Sequence, residues 1–102
     1  MTTASRLPLV ACSLDSDGQR ERLAEWEHLL SEATTAAKAV DGVRYSFAAT
    51  DAVEQRVREL AAAEKQCCAF LDFDIARTAD AVELGVTSTA NGLEALRIVF
   101  PA

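Results

Sequence analysis

The amino-acid sequence predicts an α+β two-layer sandwich, a small sheet with helices on one face, in the order β-α-β-α-β-β-α. Three observations predict it. Two stretches repeat apolar residues three and four apart, the period of an amphipathic helix: Leu23, Trp26, Leu30, Ala33, Ala37 and Val40, then Val53, Val57, Leu60, Cys67 and Cys68, with Glu64 an anomalous charge on the second stripe. Two others alternate inward and outward residues as half-buried strands do, at Val43, Tyr45 and Phe47 and at Val82, Leu84 and Val86. The whole chain has 102 residues, half of them apolar, which suits one domain with its own core.

Residues 1–6 are small and polar and read as a loose tail. Residues 7–14 read as a short strand, with Pro8 restricting its start to an edge or to the first strand position. After a turn over residues 13–18, Ser16 and Gln19 form a capping-box pattern that opens the first helix. Glu21, Arg22, Glu25, His28, Glu32 and Lys38 fall mainly off its apolar stripe, and Asp41-Gly42 ends it. The strand around Val43 follows, and Asp51 with Glu54 opens the second helix, expected to run to about Ala69. Phe73 and Ile75 begin a third strand, Asp80 turns the chain, and the strand around Leu84 follows, where Gly85 marks a bulge or a close backbone approach. Leu93, Leu96, Val99 and Phe100 then form a short helix closed by Pro101.

The totals exclude several classes of function. A net charge of −6 repels phosphate backbones, and no basic stripe offsets it, so nucleic acid is not an expected partner. No apolar run approaches the roughly 20 residues that span a bilayer, so no membrane partner is expected either. Leu9-Val10-Ala11-Cys12 has the form of a lipoprotein cleavage box. Only about five apolar residues stand where a signal needs roughly 7–15, so lipidation of Cys12 is not expected. The odd cysteine count disfavours a secreted disulfide framework and points to reduced thiols in the cytoplasm. The serines lack a histidine and an acid to make a nucleophilic triad, and the glycines are too scattered for a phosphate loop.

The chemistry concentrates at Cys67 and Cys68, which stand three and four residues after Glu64. On a helix these spacings bring both thiols within one turn of the carboxylate. A carboxylate so placed raises a thiol's pKa, a poor arrangement for a free thiolate but a sensible one beside a cation, which favours the ionised sulfur. Consecutive helical side chains diverge by about 100°, so both thiols meet one ion only if the helix frays at Cys68. Cys12, on the inward parity of the first expected strand, is the candidate third sulfur. Three sulfurs without histidine suit a trigonal thiophilic ion better than structural zinc, and the lone His28 lies on the polar face of the first helix. Against this, buried cysteine often serves as a small hydrophobe, and Glu64 has a structural reading as the ion-pair partner of Arg44 or Arg77.

The run Ala63-Glu64-Lys65-Gln66-Cys67-Cys68-Ala69-Phe70-Leu71-Asp72-Phe73 resembles the E-x-x-C-C-x-F-x-x-F stretch of small bacterial proteins found alone or appended to MerR-type mercury-responsive regulators. The similarity extends to Ala11-Cys12-Ser13-Leu14 and to Arg22, Glu25, Trp26 and Leu29. It implies an association with heavy-metal stress, with Cys12, Cys67, Cys68 and Glu64 as the matching positions. No helix-turn-helix precedes the motif, so DNA binding does not carry over.

The expected function is a small cytoplasmic protein that binds a thiophilic metal or metalloid ion such as Hg(II), As(III) or Cu(I). Its ligands would be Cys12, Cys67 and Cys68, with Glu64 beside them or as a fourth ligand, and Phe70 and Phe73 would keep the site dry. Two alternatives stand: a thiol redox module in which one cysteine attacks and another resolves, and an interaction or small-molecule-binding module whose cysteines are packing.

Overall fold

In a computed structural model, residues 16–102 are described. They form an α+β two-layer sandwich whose four-stranded antiparallel sheet carries three helices on one face. The elements are α1 (Ser16–Leu30), β1 (Thr35–Ala39), β2 (Gly42–Ala48), α2 (Asp51–Cys67), β3 (Leu71–Arg77), β4 (Ala81–Ser88), a single 3₁₀ turn (Ala90–Gly92) and α3 (Leu93–Val99). The strand expected over residues 7–14, with Cys12 in it, lies outside the described residues.

The chain between α1 and β2 differs from expectation. The alanines of residues 33–40 fit a helical stripe, yet α1 stops at Leu30 and Thr35–Ala39 is an edge strand paired to β2. The last turn of α1 tightens: Glu32 and Ala33 donate to the carbonyls of Leu29 and Leu30, three residues back, at 3.0 and 3.1 Å. Thr34 then donates to the Ser46 carbonyl at 2.7 Å, and the ladder continues to the Ala39–Gly42 pair across a two-residue turn, Val40-Asp41. Alanine has little apolar area to hold a helix against the core, and cross-strand pairing wins. Gly42 is therefore the first residue of β2 rather than the cap of a helix. A Cβ there would overlap the Val86 carbonyl oxygen of β4.

The sheet order is β1-β2-β4-β3. Val43, Tyr45 and Phe47 pair with Val86, Leu84 and Val82, and Phe73 and Ile75 of β3 pair with Val86 and Leu84. Strict alternation sends all of these to the helix side, where Trp26, Leu29, Val57, Leu96 and Phe100 complete a single core cluster. The opposite face carries Arg44, Asp72, Asp74 and Glu83. Arg44 lies across Gly85 and reaches Asp74 and Glu83 at 3.8 and 4.0 Å; what approaches Gly85 is thus the end of a flexible side chain, not a backbone, and the strand pairs regularly through it without a bulge.

Thr50 caps α2, its hydroxyl accepting from the Val53 amide at 3.2 Å, one residue before the expected Asp51. Asp51 and Glu54 occupy the first turn, where both accept from Arg77 at 3.0 and 2.8 Å. Thr78 rather than Asp80 organises the β3–β4 turn, its hydroxyl accepting from the amides of Asp80 and Ala81. Helix α2 rests on β3 and β4, α3 on β4 and β2, and α1 touches both helices. No helix among the described residues is long and apolar enough to cross a membrane.

Candidate functional site

Helices α1 and α2 run antiparallel. Arg22 and Trp26, in the middle and second half of α1, meet Glu64 near the end of α2, while Glu32 just past α1 pairs with Arg56 early in α2 at 3.1 Å. The stripe of α2 that buries Val57 and Ala61 also carries Glu64 inside, where the residue is 5% exposed. A carboxylate so placed needs partners. Trp26 donates its indole N–H to Glu64 Oε1 at 2.8 Å, and the Arg22 guanidinium reaches the same oxygen at 3.4 Å. The structural partners anticipated for Glu64, Arg44 and Arg77, are elsewhere: Arg44 points to the open face of the sheet, and Arg77 holds the start of α2.

Cys67 is the last residue of α2, and its side chain lies outside the described set. Cys68 has left the helix, with φ −125° and ψ 77°, while its amide still donates to the Glu64 carbonyl at 2.6 Å. The helix thus ends at the paired thiols and short of Ala69, and Cys68 no longer follows the helical 100° step. Its thiol is buried, 2% exposed, and donates to the Glu64 carboxylate. Burial first, then the hydrogen bond and charge of Glu64, push the Cys68 thiol from the ordinary 9.0 up to about 12, against a downward pull from Arg22. Lys65 fixes the turn that follows: its ammonium donates to the carbonyls of Ala69 and Leu71 and to Asp72, at 3.0, 2.8 and 3.0 Å.

Aromatic rings close one side. Phe73 stacks on Trp26 with centroids 6.1 Å apart, and Phe100 meets Trp26 edge-on at 4.7 Å. Phe70 lies against Gly92, where a Cβ would overlap its ring and the Ser88 hydroxyl. Phe73 therefore borders the carboxylate through Trp26, whereas Phe70 closes the neighbouring gap between β4 and the 3₁₀ turn.

Of the four anticipated ligands, Glu64 and Cys68 come together; Cys12 and the Cys67 side chain are outside the described residues. Among the described residues no group of three or more histidine, cysteine or acidic side chains gathers as a metal cage. Arg22 and Trp26 are the site residues that helix periodicity did not single out for chemistry. A buried acid on α2 demanded a donor, but nothing in the spacing says which helix provides it. Comparison of the chain with protein-family models, with curated proteins and with solved structures finds no match.

Proposed function

We propose that the protein binds a thiophilic metal or metalloid ion, Hg(II), As(III) or Cu(I), at the Cys68 thiol and the Glu64 carboxylate, with Cys67 and Cys12 as further sulfur ligands. The observation that carries this reading is the buried Cys68–Glu64 pair. Burial against an acid holds the sulfur protonated, so only an ion with strong affinity for thiolate displaces that proton, and its positive charge then offsets the sulfur and the carboxylate together. Soft ions meet that requirement and hard oxygen-seeking cations do not.

Chain connectivity supports the same reading. Ser16 begins α1 six residues before Arg22, about 9 Å along the axis, toward the α2 end that carries Cys68. Cys12 precedes Ser16 by four residues, a tether of at most about 14 Å. The resemblance of the Glu64 to Phe73 run to proteins associated with mercury-responsive regulators favours the same chemistry. The test is titration of reduced protein with each ion, monitored in the ultraviolet. A sulfur-to-metal absorption band that saturates, and is lost in Cys68→Ser, is expected; titrations silent with all three ions overturn the proposal.

A second reading is favoured by the pair of donors on Glu64. Trp26 and Arg22 account for the buried carboxylate without any ion, which suits an interaction module whose Cys68 is packing. In that case Cys68→Ser lowers stability and no ion binds. A thiol redox role for Cys68 is the least favoured, because a sulfur with its pKa at about 12 is a poor nucleophile near neutral pH.

A further inference from the structure

On the solvent side of the Glu64–Arg22 contact, α1 and α2 border a groove of about 490 Å³ lined by Arg22, Glu25, His28, Arg56, Glu59, Leu60 and Ala63. Arg22 forms its inner end. That side chain is 20% exposed and stands between an exposed acid, Glu25 at 3.7 Å, and the buried Glu64 at 3.4 Å. We infer that this groove is the access path to the buried Glu64–Cys68 pair and that Arg22 is the side chain that closes it.

Three features carry the inference. Arg22 both lines the groove and reaches Glu64 Oε1, so one side chain separates the groove from the buried carboxylate. Arg22 holds Glu64 loosely, at 3.4 Å against the roughly 2.7–2.9 Å of a tight charge-assisted hydrogen bond, and on an oxygen already taken by Trp26 at 2.8 Å. Glu64 therefore keeps its indole partner when the guanidinium swings away, and Glu25 offers the guanidinium a second carboxylate outside. The remaining walls mix Arg56 and His28 with Glu59, so the path selects by size more than by charge. This holds for any small molecule that reaches the buried pair and does not rest on that molecule being an ion.

Trp26 reports on the path directly, being the single tryptophan, fully buried and bonded to Glu64. The experiment is quenching of its fluorescence by acrylamide, a small neutral probe, in the folded chain of 102 residues. Arg22→Ala is expected to raise the quenching constant about fivefold by leaving the inner end open, and Arg22→Lys, shorter but still charged, about twofold. Val57→Ala loosens the core at a residue that does not line the groove and is expected to leave quenching near that of the unaltered protein. Quenching unchanged in Arg22→Ala overturns the proposal, as does equal quenching in Val57→Ala and Arg22→Ala. Should Arg22→Ala fail to fold, Arg22→Lys quenched no more than the unaltered protein overturns it.

Discussion

Cys68 keeps its proton because the fold has removed water from the sulfur and set a carboxylate beside it. This has a consequence for stability. The thiol ionises near 9.0 when exposed and near 12 when folded, so between these values the folded chain binds more protons than the unfolded one. The stabilisation from the raised pKa is complete below pH 9 and is lost as the pH rises toward 12. Denaturant melts across that alkaline range are expected to show a steeper fall for the unaltered protein than for Cys68→Ala. Tyr45, whose hydroxyl donates to the Pro101 carbonyl and whose pKa burial also raises, contributes equally to both and cancels in the comparison. Parallel slopes would mean that the thiol is hydrated in the folded protein. Glu64 illustrates how far one residue can be read alone: its place on an apolar stripe marked it as anomalous, whereas its donors from α1 lie 38 and 42 residues away and only the packing of α1 on α2 names them.

At the scale of elements, legibility followed the size of the side chains. The strand β2 declares itself through Val43, Tyr45 and Phe47, whose large apolar groups alternate without ambiguity, and α2 through Val57 and its neighbours at helical spacing. The strand β1 does not, because Ala36, Ala37 and Ala39 fit either period and its identity rests on a partner strand. Gly42, expected past a helix end, instead opens β2, where a Cβ would run into the backbone of β4. Gly42→Ala is expected to cost about 3 kcal/mol, since the Val86 carbonyl belongs to a central strand and cannot yield without moving the ladder. The capping substitution Thr50→Ala, which loses one exposed hydrogen bond, is expected to cost about 1 kcal/mol. Equal costs in urea melts would show that the β2–β4 ladder gives way easily.

At the scale of the molecule, one cluster among the described residues joins α1, α2 and α3 to the sheet, and Trp26 sits at the meeting point of α1, α2, β3 and the end of α3. Such a core predicts a single cooperative transition, in which Trp26 fluorescence and far-ultraviolet circular dichroism lose their native signals at the same denaturant concentration. Fluorescence that changes first would mark the α1–α2 layer as a separately unfolding unit. The same layer places the chain's acid, thiol, indole and guanidinium together, and the proposed function depends on that convergence. Native mass spectrometry of the reduced protein with Hg(II), in competition with a small thiol, tests it most directly. One retained ion on the unaltered chain, lost in Cys68→Ala, is the expected result. No retained ion, or an ion held equally well without the Cys68 sulfur, would contradict the account.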